Sequence, residues 1–115
     1  MTLQADNQVA LERIMKAIDA NISNPMLNVE MLAQEVGMSR THLYRCAKES
    51  TGLTPSDFIR ATRLRQAAEL LKSKEYTITQ VAYAVGFNSQ THFSNAFKRQ
   101  YGVSPTEYQE GIKKE

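Results

Sequence analysis

One block of this sequence occurs twice. Val29 to Gly37 reappears in degenerate form as Ile78 to Gly86 at a constant offset, and Arg40 to Phe58 reappears as Gln90 to Tyr108 at an offset one residue larger. Ala33 pairs with Ala82, Gly37 with Gly86, Leu43 with Phe93, Lys48 with Lys98, Gly52 with Gly102 and Pro55 with Pro105. Each copy holds a helical apolar pattern, a turn with glycine, a second helical pattern and a Gly-x-x-Pro exit. The small Ala lets two helices approach closely and the Gly turns the chain sharply between them, which is helix-turn-helix logic. Two copies in register point to an all-α fold built by duplication.

Local signals place seven helices. Residues 1–7 read as a disordered N-terminus. From Gln8 to about Ser23, Leu11, Ile14, Met15, Ile18 and Ile22 form one stripe, capped by Asp6 or Asn7 and ended by Asn24-Pro25. Asn28 caps a second helix with Val29, Leu32, Ala33 and Val36 inward, and Gly37 stops it. Ser39 caps a third, closed by Gly52 after Thr51. Thr54, Pro55 and Asp57 suit the start of a fourth helix running to about Ser73. Thr77 and Gln80 have capping-box spacing before a fifth, which Gly86 stops. The sixth carries Phe93, Phe97 and Tyr101 on one stripe, and Ser104 with Glu107 opens a short seventh. The expected division is 8–54 for a first helix-turn-helix subdomain, 55–74 for a bridging helix and 75–115 for a second subdomain. No stretch shows the alternation of a strand.

Composition removes several classes of function. A single Cys allows no intramolecular disulfide and no Cys-based zinc cage. No apolar run is long enough to span a membrane, and the start lacks a signal-peptide profile, so the cytoplasm is the expected compartment. His42 and Cys46 have i, i+4 spacing, yet a metal site needs more ligands than these. Cys46 pairs with Ala96 in the repeat and reads as a small packed side chain, and Met15, Met26, Met31 and Met38 read as core fillers. No phosphate loop, nucleophile elbow or paired carboxylates appear, so neither catalysis nor a cofactor is expected. The net charge of +2 hides a basic middle third. Between residues 39 and 74, eight Lys and Arg face only Glu49, Asp57 and Glu69.

At this point the chain resembles the DNA-binding domain of the AraC/XylS family of bacterial transcription regulators. The likeness rests on Leu32 through Ser39 with Leu43 and Arg45, and on Val81 through Pro105 with Tyr108. The run from Gly86 to Lys98 is close to the family's most diagnostic motif. The resemblance covers about residues 8–110. It implies two homeodomain-like helix-turn-helix units with a bridging helix, binding to double-stranded promoter DNA and activation through RNA polymerase. It also implies a domain that in most members is the C-terminal output of a longer protein, whose sensor in some regulators is a hybrid histidine kinase. Two departures stand out. Asn95 occupies a place where the family usually carries Arg, and Ala47 stands opposite Phe97 in the repeat.

Within that frame, Leu43 and Ala47 face inward while Thr41, Tyr44, Arg45 and Lys48 face outward on the first recognition helix. Arg45 suits bidentate contact with guanine. Gln90, Thr91, Ser94 and Asn95 take the equivalent places on the second, with Asn95 or Gln90 suited to adenine. Unlike readers imply an asymmetric site. Arg40, Lys48, Arg60, Arg63, Arg65 and Lys98 are the expected phosphate contacts, although Arg63 or Arg65 could instead pair with Glu69. Helix-start amides after Thr54, Thr77 and Ser104 add further candidate anion contacts. With about six phosphates neutralised, log K against log salt would slope near −5. A bridging helix of roughly 27 Å, against about 34 Å between successive major-groove turns, implies bent DNA or a tilted reader. The isolated domain is expected to be monomeric. The competing expectation is a small helical adaptor that binds a protein through the basic bridging helix.

Overall fold

A computed structural model describes residues 3–111, with side chains described from Gln8 onward. Among the described residues there are seven helices and no strand. They are α1 (Leu3–Ala20), α2 (Val29–Val36), α3 (Arg40–Thr51), α4 (Pro55–Ser73), α5 (Ile78–Ala84), α6 (Gln90–Tyr101) and α7 (Pro105–Gln109). Polar caps start them as the sequence requires. Asn28 Oδ1 accepts from the Met31 amide at 2.8 Å, Ser39 Oγ from His42 at 3.1 Å, and Ser89 Oγ from His92 at 3.2 Å. Thr77–Gln80 and Ser104–Glu107 close reciprocal capping boxes.

The N-terminal helix departs from expectation. It begins at Leu3, not Gln8, so Asp6 and Asn7 lie inside it and do not cap it. Residues 3–10 contain no Gly or Pro, so nothing local stops the helix from extending upstream. It ends at Ala20, where the Asn21 side-chain amide turns back to the Ala17 carbonyl at 2.8 Å. The disorder expected at residues 1 and 2 falls outside the described residues, as do positions 112–115.

The chain separates into two compact units, not three consecutive pieces. Residues 3–21 and 26–60 make the first; 22–25 and 61–111 make the second. Thus α4 contributes its first six residues to one unit and the rest to the other. In the first unit, α1 packs on both α2 and α3. Its buried side chains include Ile14, Ile18, Leu32, Ala33, Val36, Leu43, Cys46, Ala47, Phe58 and Ile59. Met15 is 37% exposed and Met26 71%, so these two are not core fillers. Met15 follows Ile14 directly and falls at the edge of the buried stripe.

In the second unit the core joins Leu64, Ala67, Ala68 and Leu71 of α4 to Val81 and Ala82 of α5, then to Phe87, Phe93, Ala96 and Phe97. A chain of aromatic contacts runs through it. Ring centroids are 5.3 Å apart for Phe87–Phe93, 5.8 Å for Phe93–Phe97 and 5.3 Å for Phe97–Tyr108. Such tilted and edge-on pairs add stabilisation beyond the area they bury.

The repeat is faithful at the level of hydrogen bonds. Gly37 and Met38 amides donate to Gln34 and Ala33 carbonyls at 3.2 and 2.9 Å; Gly86 and Phe87 amides donate to Tyr83 and Ala82 at 3.1 and 2.9 Å. Both turns therefore close in the same two-bond manner, with the glycine at φ +69° and +91° respectively.

Candidate nucleic-acid interface

The buried face of each reader helix fixes what its other face presents. On α3, Leu43, Cys46 and Ala47 are buried, which leaves Thr41, Tyr44, Arg45 and Lys48 exposed. On α6, Phe93, Ala96 and Phe97 are buried; Gln90, Thr91, Asn95 and Lys98 are exposed and Ser94 is half-buried. The residues singled out as base readers thus share one outward face on each helix. His42 and His92 are also exposed, and the His92 ring meets the edge of Phe87 at 5.7 Å. Beside α3, Val29, Arg40, Thr41, Tyr44, Thr54, Pro55 and Ser56 line an open hollow of about 680 Å³. Four of those side chains carry a hydroxyl and one a guanidinium, a lining able to donate to an anionic oxygen.

The candidate phosphate contacts fare unequally. Arg40, Arg65 and Lys98 are exposed. Lys48 is exposed and reaches its own helix end, with Nζ 3.3 Å from the Gly52 carbonyl. Arg60 is exposed and pairs with Asp57 at 2.7 Å, one turn earlier. Glu69 takes Lys72 as its partner at 3.2 Å, not Arg63 or Arg65, and this hydrogen bond and charge raise the Lys72 pKa.

Arg63 requires correction. It is only 6% exposed, and its guanidinium is consumed by backbone carbonyls. Nη1 donates to Ile22 at 2.5 Å and Val85 at 2.7 Å, and Nη2 donates to Asn24 at 3.0 Å. Burial pushes its pKa below the ordinary arginine value. A side chain enclosed in this way holds the α5–α6 turn, not a phosphate. The first unit has a counterpart, since Arg13 Nη2 donates to the Val36 carbonyl at 2.5 Å. Arg13 and Arg63 stand at the larger of the two repeat offsets, and Val36 and Val85 at the smaller. That pairing was present in the sequence and was the signal that could have exposed both turn-holding arginines.

At the candidate helix-start anion contacts, capping side chains already hold part of the amides. The Thr77 and Gln80 amides are bound within one capping box, and the Ser104 and Glu107 amides within the other. The Glu107 carboxylate further repels an incoming anion there. At Thr54, the hydroxyl already accepts from the Asp57 amide at 3.2 Å.

Two residues escaped sequence reasoning. Arg99 is exposed and follows Asn95 by four positions, so it prolongs the reader row of α6. Thr79 on α5 donates its hydroxyl hydrogen to Gln90 Oε1. Among the described residues, no three His, Cys, Asp or Glu side chains converge as a metal site would require. No described helix is long and apolar enough to cross a membrane.

Comparison with known proteins agrees with this fold. A family described as "Helix-turn-helix domain" matches residues 32–111. A solved transcriptional regulator of the AraC-type DNA-binding-domain class from Chromobacterium violaceum is 33% identical, superposes with a TM-score of 0.83, and is matched over 92% of this chain and 94% of its own. The DNA-binding domain of AdpA, solved with a target DNA, is 30% identical at a TM-score of 0.79, over 89% of this chain and 90% of its own. Among curated relatives, histidine kinase P4 of Formosa agariphila is 35% identical over 109 residues. That match takes in 95% of this chain but 8% of the kinase, so the chain spans a small part of that relative's length.

Proposed function

Because this chain belongs to the AraC/XylS family of helix-turn-helix DNA-binding regulators, we propose that it reads an asymmetric duplex through α3 and α6, set into successive major-groove segments. The family binds DNA and is not one of enzymes. The observation that carries the finer reading is the pair of unlike outward faces, one on each reader helix. In the first unit Thr41, Tyr44 and Arg45 address bases, with Arg45 matched to the two acceptors of guanine. In the second, Gln90, Thr91, Ser94 and Asn95 do so, and adenine suits the Gln90 or Asn95 amide. Arg40, Lys48, Arg60, Arg65 and Lys98 anchor phosphates and set register without reading sequence. Arg99 joins them by its place on the reader row.

Activation through RNA polymerase, a monomeric isolated domain and service as the output of a longer sensor protein belong to the same proposal. An adaptor that binds a protein through α4 is disfavoured, since Arg63 is withdrawn from that helix's exposed basic face.

Selection of bound duplexes from a random pool at fixed salt tests the proposal. It should yield two dissimilar half-sites, and Arg45→Ala should erase preference at one base pair. A pool that emerges no different from its input would overturn the reading.

A further inference from the structure

We infer that Thr79 is a specificity-determining residue, acting through Gln90. The inference rests on the reading above, in which Gln90 addresses a base. Gln90 is the first residue of α6, where a reader helix brings its side chains closest to base edges. A free glutamine amide can rotate and offer its oxygen or its nitrogen at either end. It then suits several base edges about equally. Here the Thr79 hydroxyl donates to Gln90 Oε1, which fixes the oxygen end. The Nε2 hydrogens and the remaining Oε1 lone pair then face outward in one fixed order. That order matches adenine, whose N7 accepts and whose N6 amino group donates.

The bond is not something the fold needs. The α5 start is already closed by Thr77 and Gln80, so the Thr79 hydroxyl is spare at the second helical position. The equivalent positions in the first unit are Glu30 and Arg40, which bear opposite charges; among the described residues no ion pair joins them. The first unit forms the same pair of helices without such a tether.

The test uses the duplex enriched from a random pool by the unaltered chain, with every base pair then varied singly. Thr79→Val should weaken discrimination about three- to tenfold, the weight of one net hydrogen bond, and only at the base pair that Gln90→Ala makes indifferent. Thr79→Ser should restore it, and Thr79→Val added to Gln90→Ala should change nothing more. A merely structural role would lower affinity for all duplexes alike and depress the melting temperature; that pattern overturns the inference. So does a Thr79→Val chain with intact preference where Gln90→Ala has lost it, and in that case Gln90 remains a reader. If Gln90→Ala leaves every preference intact, Gln90 reads no base, and the assignment of that reader falls together with the tether.

Discussion

At the level of single residues, Arg63 shows how far charge alone can mislead. A cation in a basic stretch looks like a phosphate contact until its surroundings are known. Its three carbonyl partners lie 22 to 41 positions away, at separations that no local pattern reveals. Arg63→Met should cost about 2–4 kcal/mol in a denaturant titration, because several carbonyls lose their donor inside the protein. The folded variant should keep the parent's salt dependence of DNA binding. Arg65→Ala should do the reverse, with stability within about 0.5 kcal/mol of the parent and a shallower salt slope. Tyr101 supplies a pH signature. Burial, and then the neighbouring Tyr108, raise its phenol above the ordinary value of 10.0. Above that value the unfolded chain releases the proton while the folded chain retains it. The contribution is therefore complete below about pH 10 and disappears as pH rises through the folded value. Urea midpoints from about pH 9 to 11 should fall less steeply for Tyr101→Phe than for the parent.

Among the elements, the turns, the helix starts after α1 and the bounds of the long helix were legible, but not which side chains of the long helix turn inward. Ser39, Thr77 and Ser104 cap where their chemistry demands, because capping depends on neighbours three residues away. In α4 the buried face serves the first unit at Phe58 and Ile59 and the second at Leu64, Ala67, Ala68 and Leu71. A helix that changes partners midway carries no single apolar stripe, so periodicity could not reveal which arginine turned inward. The reader faces were legible because Phe93 and Phe97, or Leu43 and Ala47, fix the opposite side by geometry alone. The Thr79–Gln90 bond was not, since it joins neighbouring helices across a turn. The turn itself yields a sharp comparison. A Cβ at Gly86 would lie 1.4 Å from Arg63 Nη1 and 2.3 Å from the Ile22 carbonyl oxygen, whereas at Gly52 it would meet nothing within 4 Å. Both glycines have positive φ, so each Ala variant bears about 1–2 kcal/mol of backbone strain. Gly86→Ala should lose at least about 2 kcal/mol more than Gly52→Ala by thermal melting, as the clash displaces the arginine from its carbonyls.

Taken as a whole, the molecule offers DNA a modest excess of charge, 14 cationic side chains against 12 anionic. What matters is where they stand. With Arg63 withdrawn and Arg99 added, Arg40, Lys48, Arg60, Arg65, Lys98 and Arg99 make up the phosphate set, and about six neutralised phosphates give a log–log salt slope near −5.4. Anisotropy titrations across a salt series should return that slope, and a value near zero would dismiss the electrostatic anchoring. The membership of the family was readable from motif residues, above all the run from Gly86 to Lys98. The lone cysteine adds a different kind of access to the protein's behaviour. Cys46 sits on the inward side of α3, 4% exposed, and no other sulfhydryl competes with it. A thiol reagent can alkylate it only during the moments when that helix lifts from its bed. The labelling rate thus serves as a built-in clock for the breathing of the first reader, and a bound duplex should slow it.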